Sequence, residues 1–233
     1  MMKGKYPYAE ALVAALSLRA KLQPYCDRIE VAGSIRRRCE MVGDIELVGI
    51  PTMRIEQGLF GPVGKGVSLL DEHLEKYPEI YRQVRAGDRL KELRFEGYQV
   101  DLFLTTPEQW GVIFTLRTGS ADFSKWLVTD RQKGGGRMSC RYVNEGRVWR
   151  LVEQEAPFAS PVREPMETPE ERDVFEALGV DWVPLELRHR GYWSKTHGFD
   201  TPLRRPDPTP ATPSGTGGAS ASETDEEKAR DYV

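Results

Sequence analysis

The sequence predicts an α+β fold: a mixed β-sheet with flanking helices, then a smaller C-terminal subdomain. Three observations lead there. Asp44–Ile50 alternates apolar and polar residues with the two-residue period of a strand, and Leu93–Leu104 has the pattern of a hairpin turning at Glu96-Gly97. Capped or amphipathic helical segments fall between such strands rather than after them. The chain has 233 residues, 39% of them hydrophobic, enough for one ordinary domain or two small ones with a real core.

In chain order, Tyr8–Gln23 reads as an amphipathic helix. Leu12, Val13, Leu16 and Ala20 are expected on its inner face, and Pro24 stops it. Ile29–Ala32 is a short apolar strand running into Gly33-Ser34, and Asp44–Ile50 is the next strand, ending at Pro51. Ser68 is a suitable N-cap for a helix ending near Tyr77-Pro78, with Asp71 in the capping-box position. After the 93–104 hairpin, a helix is expected behind Gly119-Ser120, carrying Phe123, Trp126 and Leu127 inward. Gln132–Arg137 reads as a glycine-rich loop, its Gly134-Gly-Gly136 run a mobile turn or a close approach to a nucleic-acid strand. Arg141–Leu151 reads as a second hairpin, turning at Asn144-Glu145-Gly146. Thr168-Pro169-Glu170-Glu171 has the form of a helix start with Thr168 as N-cap, and Gly179 suits the helix end. From Pro206 onward Pro, Thr, Ser, Gly and acidic residues dominate, and a disordered acidic tail is expected.

Lys+Arg is 33 against Asp+Glu 36, a net charge of −3, which looks unlike a nucleic-acid binder. The total hides a gradient. Asp207, Glu223, Asp225, Glu226, Glu227 and Asp231 are answered in the tail only by Lys228 and Arg230, so the body is nearly neutral. Within it Lys125, Arg131, Lys133, Arg137, Arg141, Arg147 and Arg150 face only Asp130 and Glu145. Such a stretch can neutralise phosphates or serve as a solvated face. Cys26, Cys39 and Cys140, with His73, His189 and His197, show no zinc spacing. The cysteines are expected to be reduced in a cytoplasmic protein, with no signal peptide and no membrane span.

The chemistry concentrates between Val31 and Glu46, where Gly33-Ser34 ends a strand, Arg36-Arg37-Arg38 follows, and Asp44-Ile45-Glu46 opens the next strand. Side chains two apart on a strand share a face, so Asp44 and Glu46 project together while Ile45 turns into the core. Adjacent carboxylates repel, and a divalent cation relieves that; Mg²⁺ favours such oxygens together with substrate phosphates. Ser34 and Arg37 offer a hydroxyl, backbone amides and positive charge for a triphosphate. Asp-x-Glu alone would fit an edge strand with its polar face in water, but the Gly-Ser-x-Arg-Arg ahead of it favours the site. Asp101 stands in the apolar run Gln99–Leu104, where a carboxylate needs a compensating partner. A metal shared with Asp44 and Glu46 would be one. Gly61–Gly66 lacks the first Gly and the Ser/Thr of a P-loop and is taken as a flexible loop. Trp126, Trp149 and Trp182 are taken as core.

Gly33-Ser34-x-Arg-Arg, Gly43-Asp44-x-Glu46 and Val100-Asp101-Leu102 resemble the nucleotidyltransferase palm of the DNA polymerase X family, which includes DNA polymerase beta. Arg117–Leu127 resembles that family's Thr-Gly-Ser segment and nucleotide-pocket helix, and Thr168–Arg188 its C-terminal, thumb-like end in bacterial members. Taking the Gly33–Glu46 stretch as one block, the four blocks stand in the family's order. The resemblance implies a nucleotidyltransferase palm over residues 1–110, a nucleotide-binding, thumb-like subdomain over 111–206 and a tail over 207–233. It implies Asp44, Glu46 and Asp101 as metal ligands and catalytic carboxylates for two Mg²⁺ ions, with Mn²⁺ an alternative. Asp101 would also help deprotonate a primer 3′-hydroxyl. Gly33, Ser34, Arg37 and Gly43 would meet the triphosphate of a dNTP, Thr118-Gly119 its sugar and Ser124 its base. Lys125, Arg137 and Arg141 are the residues expected against primer–template DNA, in a chain acting as a monomer in repair or replication.

Three departures qualify the resemblance. Glu46 replaces the more usual Asp. Leu116-Arg117 replaces the aromatic pair before Thr-Gly-Ser, which leaves sugar discrimination open. Gly33 lies so near the N-terminus that counterparts of the family's lyase and helix-hairpin-helix modules are not expected, as in some viral members. The expected activity is DNA polymerase-like nucleotide addition in short-patch or gap-filling synthesis. Its rivals are template-independent terminal or RNA nucleotidyl transfer, and a non-catalytic binding module of the same fold.

Overall fold

The computed structural model describes residues 5–58, 61–154 and 160–189. The tail expectation for 207–233 lies outside them, as does His197. Among the described residues, no helix is long and apolar enough to cross a membrane.

The order of elements begins with β1 (Tyr6–Pro7), α1 (Tyr8–Leu22), β2 (Cys26–Val31), the short α2 (Gly33–Arg36), β3 (Met41–Val42) and β4 (Ile45–Pro51). A hairpin of β5 (Met53–Gly58) and β6 (Gly61–Ser68) leads to α3 (Leu69–Lys76), β7 (Arg82–Ala86), β8 (Leu90–Phe95) and β9 (Tyr98–Leu104). Then come α4 (Trp110–Thr118), α5 (Ala121–Val128), β10 (Arg141–Asn144), β11 (Arg147–Val152), β12 (Val162–Met166) and α6 (Glu171–Leu178). This is the α+β arrangement expected, with a mixed sheet and flanking helices.

The central sheet runs β2-β4-β9-β8-β7, with β4 and β9 parallel and the other neighbours antiparallel. Strand alternation divides its two faces. Ile45, Leu47, Val100 and Leu102 turn to one face and pack with α1 and α3; Val48, Ile50 and Phe103 turn to the other and pack with Trp110, Ile113 and Phe114 of α4. A second core joins Val112 and Leu116 of α4 to Phe123, Trp126 and Leu127 of α5, Val143 and Val148 of β10 and β11, and Val174, Phe175 and Leu178 of α6. Helix α4 therefore forms a wall common to both cores. Gly111 on it lies so close to the chain entering α6 that an added Cβ would stand 2.2 Å from the Thr168 carbonyl oxygen.

Several local expectations hold. Ser68 caps α3, its hydroxyl accepting from the Asp71 N–H at 3.1 Å. Both hairpins turn on Glu-Gly pairs with positive φ, Glu96-Gly97 and Glu145-Gly146. Ser120 caps α5, and Gly179 ends α6 in the left-handed conformation.

Four expectations are corrected. The inner face of α1 is Ala11, Ala14, Ala15, Leu18 and Leu22, while Val13 and Leu16 are exposed. Small alanines let the helix approach the sheet, so the bulkier stripe faces outward. The N-cap of α6 is Glu170 rather than Thr168, closing a reciprocal box with Asp173. Gly61–Gly66 belongs to β6, paired antiparallel with β5, rather than to a flexible loop. The Gly134–Gly136 turn is tied down, with the Gly135 N–H bonded to Asp130 O and the Gly136 N–H to Trp126 O.

Candidate active site

Parallel pairing of β4 with β9 sets Glu46 beside Asp101 in register. Antiparallel pairing of β9 with β8 sets Glu92 on the far side of Asp101. A row of carboxylates thus crosses three strands on the α4 face of the sheet, with Asp44 just before β4. Glu92, which sequence reasoning missed, carries a long ion pair to Arg85 at 3.8 Å. Its signal was available: it lies as far before the Glu96-Gly97 turn as Asp101 lies after it.

Gly33 is the tightest point. Its φ is +60°, and an added Cβ would fall 1.7 Å from Glu46 Oε2. Only a residue without a side chain fits there, so the backbone of α2 lies directly on the Glu46 carboxylate. Burial first, then the Asp44 charge, pushes the Glu46 carboxyl up to about 7; Arg117 and Arg37 pull it back, and Asp101 adds to the rise. The Ser34 hydroxyl and the Arg37 Nε are buried without a hydrogen-bond partner. Beside Gly43 the space is open, with nothing within 4 Å of where a Cβ would stand.

Two arginines after Gly33-Ser34 bind the start of the next segment. Arg36 donates to Thr118 Oγ1 at 2.7 Å, and Arg37 donates to the Thr118 carbonyl. The same Arg36 pairs with Glu171 at 2.6 Å, and Glu171 with the fully buried Arg188 at 2.8 Å. Burial raises the Glu171 carboxyl, but the Arg36 hydrogen bond and the Arg188 charge outweigh it and hold it below its ordinary range. This ionic chain links α6 directly to the Gly33–Arg37 turn, and Arg36 ties both to Thr118 at the end of α4.

The structure thus brings Gly33, Ser34, Arg37, Glu46, Asp101 and Thr118 around one place, with Asp44 acting on Glu46 electrostatically. Gly119 closes α4 by donating to Thr115 O. Ser124 has its hydroxyl proton committed inside the fold, donating to Leu116 O at 2.7 Å. Lys125 is exposed. Arg137 donates to the carbonyls of Val128, Met138 and Arg141, and Arg141 to those of Glu176 and Ala177 at the end of α6. Those carbonyl bonds give both arginines structural roles where phosphate contacts were expected.

Among the described residues, no three His, Cys, Asp or Glu side chains are gathered into a closed ligand set. The donors nevertheless suit a hard divalent cation: neighbouring carboxylates, one of them raised by burial and then by the others' charge, with the buried Ser34 hydroxyl on the adjoining turn.

The mixed sheet with its flanking helices is the fold of polymerase beta. Among solved structures, the chain is similar to the crystal structure of Leishmania infantum polymerase beta in its ternary P/T complex. The TM-score is 0.58 at 20% identity, over 81% of this chain and 78% of that one. At that identity the likeness establishes the fold. No protein-family model and no curated protein sequence matches the chain.

Proposed function

We propose that this protein is a nucleotidyltransferase that adds nucleotides from dNTPs to the 3′-hydroxyl of a DNA primer, a DNA polymerase X-like activity suited to filling short gaps. The observation that carries the reading is the register pairing of Glu46 with Asp101 beneath the Gly33-Ser34 turn. It puts two carboxylates beside a turn that offers a hydroxyl, backbone amides and a guanidinium. The likeness to a polymerase beta solved in a ternary P/T complex supports the choice of acceptor.

Asp44, Glu46 and Asp101 would hold two divalent ions, Mg²⁺ or Mn²⁺, which supply positive charge to the attacking and leaving oxygens. The Ser34 hydroxyl, the backbone at Gly33 and the Arg37 guanidinium bind and orient the triphosphate. Asp101 receives the proton of the attacking hydroxyl. A bond forms between the 3′-oxygen and the α-phosphorus, the bond to the bridging oxygen breaks, and pyrophosphate leaves. Thr118, fixed by Arg36 and Arg37, keeps the α4–α5 turn in register with that loop.

The test is extension of a labelled primer with each dNTP, with and without a template strand. Template-directed addition of the complementary nucleotide is expected. Equal addition without template would make the protein a terminal transferase, and no addition with either Mg²⁺ or Mn²⁺ would leave a binding module.

A further inference from the structure

We propose that Arg117 is a resident counter-cation of the acidic row, holding Glu46 and Asp101 side by side before metal arrives and lowering the site's affinity for a divalent cation. The proposal rests on the metal-dependent reading above. Arg117 lies in the last turn of α4, and its guanidinium carbon stands 3.8 Å from the centre of the Phe103 ring. Phe103 follows Asp101 by two residues on β9, so both project from the same face of the sheet. The ring therefore fixes the cation over the carboxylate row. The Arg117 Nε is buried with no hydrogen-bond partner, so the group is not tied into the fold through that atom.

The electrostatics run both ways. Burial lowers the Arg117 pKa to about 10, while Glu46 and Asp101 oppose that, so the group stays charged at neutral pH. Glu46 and Asp101 lie side by side in register, so the one cation stands against both. A fixed positive charge at this place serves the metal-free protein by offsetting carboxylate repulsion, and it repels an incoming dication.

The experiment is calorimetric titration of Mn²⁺ alone into the full-length wild type, Arg117→Met, Arg117→Gln and Arg117→Lys, with thermal unfolding of each in chelator. The neutral variants are expected to bind Mn²⁺ about tenfold more tightly and to unfold at lower temperature without metal. Arg117→Lys, which keeps the charge, should stay near wild type in both. Either neutral variant that folds suffices for the comparison. Wild-type binding with no change in a neutral variant overturns the proposal alone. So does Arg117→Lys behaving like the neutral variants, because shape rather than charge would then be at work. Absence of Mn²⁺ binding by the wild type overturns the metal-dependent reading and this proposal with it.

Discussion

Asp101 stands between two other carboxylates on the sheet. It is flanked in register by Glu46 and Glu92, a placement that costs stability unless positive charge answers it. Asp101→Asn is therefore expected to abolish primer extension while leaving the fold intact and unfolding at an equal or higher temperature. Retained extension would remove Asp101 from the mechanism. Glu46 gives a second prediction, through pH. Its folded pKa, about 7, lies above its ordinary value of 4.5. A carboxyl raised in this way contributes stability that is complete below the unfolded value and is lost as pH rises to the folded one. In divalent-free buffer the wild type should lose stability against Glu46→Gln between pH 4.5 and 7, on the order of 1–3 kcal/mol. Thermal unfolding of both across that window is the measurement; a gap that does not change with pH would show that Glu46 is ordinary. These carboxylates were legible in the sequence because strand alternation fixes which side chains project together. Arg117 and Glu92 were less so, since their closeness to the site comes from α4 crossing the sheet and from the β8–β9 register.

Among the elements, the hairpins and capped helices could be read locally, while those decided by tertiary packing could not. Helix α4 was missed: nearly every residue from Trp110 to Thr118 is buried, so no amphipathic period marks it. The outward Val13 and Leu16 of α1 misled for the opposite reason, because hydrophobicity outranked the smaller alanines that the sheet accepts. The junction of α6 with the Gly33–Arg37 turn was also invisible, since it depends on a buried chain from Arg188 through Glu171 to Arg36. Removing its central charge leaves two cations facing each other, and breaking such a pair from one side costs about 3–5 kcal/mol. Glu171→Gln is expected to destabilise the protein by roughly that amount. It should also raise the KM for the incoming nucleotide, because Arg36 loses the partner that helps hold it against Thr118. Denaturant unfolding and nucleotide titration check the two effects. Stability lost with KM unchanged would confine the ionic chain to folding.

At the scale of the whole molecule, charge bounds how the proposed DNA substrate would be held. A net charge of −3 gives no long-range attraction to a polyanion, so any grip comes from local groups. The basic stretch from Lys125 to Arg150 was expected to supply it, yet Arg137 and Arg141 donate to backbone carbonyls around Val128–Arg141 and the end of α6. Their replacement should therefore act on folding: Arg137→Ala with Arg141→Ala is expected to lower the unfolding temperature by several degrees, about 1–3 kcal/mol. Lys125 and Lys133 are the exposed lysines of the stretch and are the members expected to face phosphate. Changing both to Ala should leave stability within about 0.5 kcal/mol. It should flatten the dependence of log affinity on log salt by roughly one to two units. With so few phosphate contacts, the wild type should release primer–template after adding few nucleotides, and trap DNA added with the dNTPs should stop extension early. Long products made in the presence of trap, or a salt slope unchanged in the lysine variant, would place the DNA path on another face of the molecule.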